Sequence, residues 1–405
     1  MSPVDCLQDL PKSQDVRSRR VFFLPGFDPL PPRRYRELYR KEGKRQAEIS
    51  GYELSISAGE GRPYHWFIDG RIDGQDTRTR YEFLEWHDIV QEQIRYNILQ
   101  SYVRMYATLL HYLISGAFRA MIRLRPTTIF AASYSVVMLH LYLISALLLG
   151  WLGAWLVGLT GLPPWCGAMA GLIIGMSWMV VLRRADRKLF VYYLLFDYLY
   201  TASERGAYPA ALNDRLSEFA ERINRALEEE SDEVLVIGHS SGAHLAASVL
   251  ARVGTSEDQR LSFLTLGQAI PMLSFLPGAS ALRRDLNQLS TRSDLFWLDV
   301  SAPGDGACFA LSDPVAVSGA APTSGQTNPL VISAAFRHTM SSEQLQYLRW
   351  RFFHRHIQYL SAFDRPKDYD FFQITAGPLS LETRYEDRAP SPSKITKVFA
   401  PVPGF

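Results

Sequence analysis

The clearest chemical signal in this chain is the pentapeptide Gly-His-Ser-Ser-Gly at 238–242. The apolar run 234–237 precedes it, and a run of small residues follows it. This context predicts a tight strand-to-helix turn that strains the backbone at Ser240 and holds its hydroxyl above a sheet. Gly238 and Gly242 allow neighbouring segments to come close, and the following helix would supply N–H donors and the positive end of its dipole. The alternative is an ordinary tight turn between a strand and a helix.

A serine hydroxyl becomes a good nucleophile only when a base takes its proton and a third group orients that base. Three downstream histidines are candidates: His338, His354 and His356. His354 and His356 follow a predicted helix at 342–352, and alternation along a short extended piece would put both on one side. We favour His356, which lies farther beyond the helix end, and keep His338 and His354 as alternatives. Two histidines too close to Ser240 in sequence to bend back are interpreted as packing residues: His239 and His244.

The pentapeptide and the earlier run Phe-Leu-Pro-Gly-Phe at 23–27 resemble motifs of the α/β-hydrolase superfamily, in particular of its lipase- and esterase-like members. The resemblance implies that Ser240 is the nucleophile and that an acid and then a histidine follow it along the chain. It also implies that the acid follows a later parallel strand, here predicted at 295–300. Asp305 lies in the exit loop of that strand and is favoured over Asp299, which lies within the strand.

The same resemblance implies two backbone donors for the oxyanion that forms during acyl transfer. One is the N–H of Ser241, directly after the nucleophile, and the other belongs to the loop after an earlier strand. The run 23–27 occupies that place here, so we nominate the N–H of Phe27. A plain strand-ending turn at Pro25 and Gly26 is the alternative interpretation. No metal ion or organic cofactor is expected for this chemistry.

Strands and helices alternate in the second half of the chain, which is typical of a mostly parallel sheet with helices on both faces. Together with the resemblance, this alternation predicts an α/β-hydrolase-type sheet. The expected division has four parts: the N-terminal part of the hydrolase domain with an amphipathic helical segment at 1–125, a transmembrane helical hairpin at 126–182, the main part of the hydrolase domain at 183–388 and a C-terminal tail at 389–405.

The predicted hairpin is a long uncharged segment. No Asp, Glu, Lys or Arg occurs from 126 to 182, and this run is far longer than the ~20 residues that cross a bilayer once. A turn at 161–164 divides it into predicted spans at 133–157 and 165–182. A pair of buried core helices is the alternative, but soluble core helices rarely go so long without a charge.

The charges beside the hairpin predict its orientation. Seven basic residues flank the two spans: Arg119, Arg123, Arg125, Arg183, Arg184, Arg187 and Lys188. By the positive-inside rule, both flanks lie in the cytoplasm, and with them the hydrolase domain and both termini. Residues 1–20 are polar and lack the apolar core of a signal peptide. The sequence therefore predicts an integral protein of the cytoplasmic membrane with two transmembrane helices.

Composition and spacing narrow the remaining function classes. The 405 residues carry 43 Lys and Arg against 41 Asp and Glu, and this balance argues against a nucleic-acid-binding protein. The three cysteines are too widely spaced for a disulfide framework or a zinc site.

Apolar residues recur at helical spacing within 88–120, so an amphipathic helix is expected, packed on the core or lying at the membrane interface. Small residues in or directly after the first span could support a homo-oligomer: Gly150, Gly153, Ala154 and Gly158.

The combined expectation is a membrane-anchored serine hydrolase. It would cleave a carboxylic ester, carried by a lipid or another acyl compound, through a Ser-His-Asp triad and an acyl-enzyme. Tethering beside a bilayer would raise the effective concentration of lipid-borne substrates. Two alternatives use the same features: an acyltransferase, in which an alcohol or amine replaces water at the second step, and a catalytically inactive membrane scaffold or sensor on a hydrolase fold.

Overall fold

The computed structural model describes residues 16–255, 260–402 and 404. Cys6 and most of the segment 1–20, for which the sequence predicts no signal peptide, lie outside the described residues. The strands are β1 (Ser18–Leu24), β2 (Glu53–Ala58), β3 (His65–Ile72), β4 (Gln75–Phe83), β5 (Glu233–His239), β6 (Leu261–Leu266), β7 (Leu295–Ser301) and β8 (Leu330–Ser333).

These strands form one eight-stranded sheet in the order β2-β3-β4-β1-β5-β6-β7-β8. From β4 across to β8 every neighbouring pair is parallel, whereas β2, β3 and β4 pair antiparallel at one edge. The predicted mostly parallel α/β sheet is confirmed. Strands from both sides of the long uncharged segment share this sheet, and β1 lies in its interior, next to β5.

The helices follow in chain order. They are α1 (Arg33–Ser50), α2 (His87–Gln93), α3 (Ile98–Ile114), α4 (Ala117–Leu124), α5 (Thr128–Gly158), α6 (Pro164–Leu189), α7 (Val191–Thr201), α8 (Ala210–Leu227), α9 (Gly242–Leu250), α10 (Ile270–Ser274), α11 (Ser280–Ser290), α12 (Pro314–Val317), α13 (Phe336–Thr339), α14 (Ser342–Leu348), α15 (Phe352–Ile357), α16 (Phe371–Ala376) and α17 (Leu381–Tyr385).

Helices cover both faces of the sheet. Along β5, Val234 and Val236 belong to one apolar cluster, together with side chains of α8, α9 and α11. Leu235 and Ile237 belong to the opposite cluster, together with side chains of α1, α16 and α17. Every residue of β5 is buried, as expected for a strand covered on both sides. Each such buried Val or Leu side chain contributes roughly 1.5–3 kcal/mol relative to exposure.

Two helices, α5 and α6, are long and apolar enough to cross a membrane. The apolar stretches cover Ser133–Gly158 and Pro164–Asp186, close to the predicted spans. Only 28% and 17% of their most apolar windows are buried within the protein, whereas a core helix of a soluble protein is mostly buried. Their large apolar side chains, such as Leu147 and Leu172, are 64% exposed. This exposure disfavours the alternative of buried core helices.

The small residues of α5 pack against α6 within one chain. A Cβ added at Gly150 would lie 2.7 Å from the carbonyl oxygen of Gly171, and one added at Gly171 would lie 2.5 Å from that of Gly150. One turn along, a Cβ at Gly167 would lie 2.9 Å from the carbonyl oxygen of Ala154. Small residues thus bring the two helix backbones close together, and part of the surface considered for an oligomer is used inside the hairpin.

Candidate active site

Ser240 sits between β5 and α9 in a left-handed backbone conformation. Its φ is 59°, which is unusual for a residue with a Cβ and costs of order 1–3 kcal/mol. Three backbone hydrogen bonds hold the turn: the Ser240 N–H donates to the Leu266 carbonyl at 3.0 Å, and the Ser240 carbonyl accepts from the N–H groups of Ala243 at 3.1 Å and Ala269 at 3.2 Å. The local geometry matches the strained turn predicted from the pentapeptide.

The glycines around Ser240 occupy places where a side chain has no room. A Cβ at Gly242 would lie 2.4 Å from the Leu24 carbonyl oxygen, and one at Gly238 would lie 2.7 Å from the Ala243 Cα. Gly26, in the loop after β1, approaches the turn so closely that its Cβ would lie 3.0 Å from the Ser240 Cβ. The glycines therefore allow the β1 loop and α9 to meet beside the serine.

His356 and Asp305 form a buried pair. The His356 Nδ1–H donates to Asp305 Oδ2 at 2.7 Å, and the same oxygen accepts the Tyr359 hydroxyl at 3.1 Å. The other carboxylate oxygen accepts the Ala307 N–H at 2.9 Å. Burial alone would raise the pKa of Asp305, but the charge and hydrogen bond of His356 outweigh it, so this pKa lies below its usual value. Asp305 is therefore ionised and fixes the histidine tautomer.

Ser240 and His356 line the same pocket. Because Nδ1 carries the proton shared with Asp305, the other ring nitrogen, Nε2, has its lone pair available in the neutral imidazole. Nε2 is buried and has no hydrogen-bond partner among the described residues. The Ser240 hydroxyl is thus not bonded to Nε2 here; such bonds are often loose before substrate binds.

The other two candidate histidines do not line this pocket. His338 and His354 are exposed. The prediction of a short extended piece after a helix at 342–352 is wrong: α14 ends at Leu348, and His354 and His356 lie in the separate helix α15. Residues two apart on a helix point in nearly opposite directions, and this explains why His356 is buried while His354 is exposed.

His239 and His244 are buried, as their interpretation as packing residues requires. Burial lowers the pKa of both imidazoles to about 3, so both rings are neutral. The His239 Nε2–H donates to the His356 carbonyl at 3.1 Å, and its ring lies 4.7 Å from that of His356. His239 therefore also positions the segment that carries His356.

Asp299, the alternative acid, makes a different contact. It lies within β7, where its Oδ1 accepts the hydroxyl of Thr265 in the neighbouring strand at 2.6 Å. Burial raises the pKa of Asp299 to about 7. The acid that bonds to a histidine is Asp305, the one in the exit loop.

The two nominated oxyanion donors are neighbours in space. The Ser241 N–H lies at the start of α9, where N–H groups have no partner within the helix. The Phe27 N–H, however, donates to the Ser241 Oγ at 2.9 Å. The structure thus brings Phe27 and Ser241 together beside the nucleophile, but the Phe27 donor is engaged by a side chain.

Asp197 is a site residue that the sequence reasoning missed. It lies on α7, lines the same pocket as Ser240 and hydrogen-bonds with Ser241. Burial raises the pKa of Asp197 to about 7, although Ser241 and His356 oppose the shift. The available signal was a single acid in the otherwise apolar and aromatic helix Val191–Thr201, because an acid in such a setting is often functional.

No protein-family model matches this chain, and no curated protein or solved structure shows significant similarity to it. The comparisons therefore neither support nor oppose the resemblance to α/β-hydrolases. The fold described above is an α/β sheet with two apolar helices long enough to span a membrane. Any assignment of chemistry depends on the geometry around Ser240.

Proposed function

We propose that this protein is a membrane-anchored serine hydrolase of the α/β-hydrolase type, which cleaves carboxylic esters of lipids or other acyl compounds. The observation that carries the proposal is one pocket. It combines Ser240, in a strained strand-to-helix turn, with the His356 imidazole, whose Nδ1 is bonded to the buried Asp305. A nucleophile, a base and a group that orients the base are the parts that acyl transfer through a serine requires.

The proposed reaction uses these parts in order. His356 Nε2 takes the Ser240 proton as the Ser240 Oγ attacks the ester carbonyl, and Asp305 stabilises the resulting imidazolium. The imidazolium then protonates the departing alcohol, which leaves an acyl group on Ser240. Water, deprotonated by the same nitrogen, attacks this acyl-enzyme and releases the carboxylic acid and the free serine.

The oxyanion of each tetrahedral intermediate would be held by backbone donors. The Ser241 N–H, at the positive end of the α9 dipole, is the first. The Phe27 N–H is the second, and the Ser241 Oγ that accepts it must move away or share this hydrogen with the oxyanion. The Ser241 side chain is also hydrogen-bonded with Asp197, so the proposal includes a rearrangement of this side chain when substrate binds.

The hairpin supports a substrate carried by a membrane. Ala131, near the start of α5, lines the pocket that holds Ser240. The Arg125 Nε–H donates at 2.6 Å to the carbonyl of Ala310, in the loop between β7 and α12 that also carries Asp305. The proposed site therefore lies beside the end of the hairpin that carries the basic flanks, which the positive-inside rule assigns to the cytoplasm. The pocket encloses about 60 Å³, room for a few water-sized groups, so a long acyl chain would extend beyond it.

Hydrolysis of a chromogenic short-chain ester by the full chain in detergent tests this proposal. We expect Ser240→Ala to lower kcat by about 10³-fold or more, because the nucleophile and its base act as a unit. Ser217→Ala is the matched control, since Ser217 is an exposed serine on α8. Equal rates for the two variants would refute the proposal.

A further inference from the structure

Helix α3 carries an apolar stripe that faces outward. Its inner face is buried against the core through Ser101, Met105 and Tyr112. Six apolar or aromatic side chains on another face are between 47% and 77% exposed: Leu99, Val103, Tyr106, Leu110, Leu113 and Ile114. The helix thus has two apolar faces, and only one of them is covered by the described part of the chain.

The spacing of the outward residues makes them one continuous stripe. The steps between Leu99, Val103, Tyr106, Leu110 and Leu113 alternate between four and three residues, which keeps successive side chains on the same side of a helix. Contiguous apolar patches of this kind are rare on soluble proteins and mark contact with a partner or a membrane. A third, polar side of α3 carries Gln100 and Arg104.

Both spanning helices contact α3. From α3, the Tyr102 hydroxyl donates to the Leu139 carbonyl of α5 at 2.6 Å, and the Tyr106 hydroxyl lies 2.8 Å from His140 Nε2. From α6, an Arg183 N–H group donates to the Ser101 Oγ at 3.4 Å. The outward stripe of α3 is therefore continuous with the apolar surface of the hairpin.

The positions of these contacts show how deep α3 would lie. About 20 helical residues cross the hydrocarbon core of a bilayer. Counted back from Gly158, at the turn end of α5, that length reaches Leu139. Counted forward from Pro164, at the turn end of α6, it reaches Arg183. Both counts end at the residues that contact α3, so these contacts place α3 at the level where the counted spans end.

We propose that α3 lies along the boundary between the hydrocarbon core and the headgroups, on the side of the catalytic domain, with its outward stripe against acyl chains. The proposal rests on insertion of the hairpin, as part of the proposed function. Amphipathic helices in this position bury their apolar face about 5–10 Å into the boundary region. Arg104, whose guanidinium lies 3.9 Å from the centre of the Tyr96 ring, is on the polar side and would remain among the headgroups.

This placement also sets the height of the pocket. Ala131 lines the pocket and lies eight residues before Leu139 on α5, which is about 12 Å along a helix axis. With α3 at the hydrocarbon boundary, the Ala131 side of the pocket lies about 12 Å outside the hydrocarbon core, just beyond a headgroup layer that is about 5–8 Å thick on each side. The three helices α3, α5 and α6 would then hold the ester-binding pocket just above the headgroups, so a lipid would have to rise partly out of the bilayer to bring its ester to Ser240.

Spin labels on the full chain in phosphatidylcholine and phosphatidylglycerol bilayers test the depth of α3. Leu110→Cys places a label on the outward stripe, and Gln100→Cys places one on the polar side of the same helix. Cys6 and Cys166 are first replaced by Ser, and the buried Cys308 is left in place. We expect oxygen, which dissolves in acyl chains, to collide with the Leu110 label while a water-soluble nickel complex does not. The Gln100 label should remain accessible to nickel.

Two results would overturn the placement of α3. A Leu110 label as accessible to nickel as the Gln100 label would put the stripe in water, and a label protected from both reagents would mean that protein, such as a second copy of the chain, covers it. A third label at Leu172→Cys, in the middle of α6, separates these results from failure of the anchor. If nickel reaches Leu172, the hairpin is not inserted, and both the anchor and the placement of α3 are wrong.

Discussion

Replacing Asp305 with Asn removes the charge that orients the proposed base while leaving the shape of the pocket unchanged. Asp305 Oδ2 accepts from His356 Nδ1 and from the Tyr359 hydroxyl, and Oδ1 accepts the Ala307 N–H. An amide has only one oxygen for these three donors, so its NH₂ group must face either Ala307 or His356. The substitution therefore forces a choice between two hydrogen-bond patterns.

The hydrogen bonds around Asp305 decide that choice. If the NH₂ faces Ala307, two donors meet in a buried place, which costs about 1–3 kcal/mol, and the fixed backbone N–H cannot turn away. If the NH₂ faces His356, the imidazole can respond by moving its proton from Nδ1 to Nε2. The second pattern is therefore preferred. It leaves Nε2 protonated, so this nitrogen can no longer accept the Ser240 proton.

We therefore expect Asp305→Asn to lower kcat for ester hydrolysis by about 10⁴-fold, the loss known for the corresponding change in a serine protease triad. That factor corresponds to about 5.5 kcal/mol of transition-state stabilisation. The matched control is Asp299→Asn, a buried acid in the same sheet whose pKa is raised to about 7 by burial, so that a neutral amide is a mild change. An Asp305→Asn variant with wild-type kcat, or a larger loss in Asp299→Asn, would refute the reasoning.

Three further predictions concern other parts of the site. His356→Ala should abolish ester hydrolysis. His354→Ala, which changes an exposed neighbour in α15, should leave kcat unchanged. If only His354→Ala abolished hydrolysis, His354 and not His356 would be the base. Burial raises the pKa of Asp197 from 3.8 to about 7, so between about pH 4 and pH 7 the unfolded chain binds fewer protons than the folded one, and stability falls as pH rises. From pH 5 to pH 8, the melting temperature of the wild type should therefore decrease more than that of Asp197→Asn. Equal decreases in the two proteins would contradict the raised pKa of Asp197. Gly242→Ala places a Cβ 2.4 Å from a backbone carbonyl oxygen and should lower stability by about 1–3 kcal/mol or more. In the control Gly254→Ala, no atom of the described residues comes closer than 3.8 Å to the new Cβ, so this variant should melt like the wild type.

Sequence reasoning predicted the features that depend on local chemistry. The turn at Ser240 could be found because an apolar strand, two glycines and a run of small residues are adjacent along the chain. Asp305 could be favoured over Asp299 because the resemblance to α/β-hydrolases places the acid after a later strand, and the end of that strand is visible as a change from apolar residues to Pro and Gly. The two long apolar helices could be found because a segment without any charged residue can be recognised in the sequence without knowledge of the fold.

The features that depend on tertiary packing could not be predicted in the same way. The position of His356 depends on where α15 begins, and nothing in the sequence distinguishes a helix there from an extended piece. Asp197 reaches the pocket only because α7 packs beside the β1 loop. The engagement of the Phe27 N–H by Ser241 is a contact between segments more than 200 residues apart, and it appears only once β1 and β5 lie side by side.

The central claim, that Ser240 is an activated nucleophile, is tested most directly by covalent capture with a fluorophosphonate. The full chain in detergent would be treated, digested and analysed by mass spectrometry that locates the adduct within the peptide that contains Ser240, Ser241 and Ser248. We expect one adduct, on Ser240, and no adduct in His356→Ala. An unmodified Ser240 in the folded wild type, or an adduct that forms equally well without the imidazole, would contradict it.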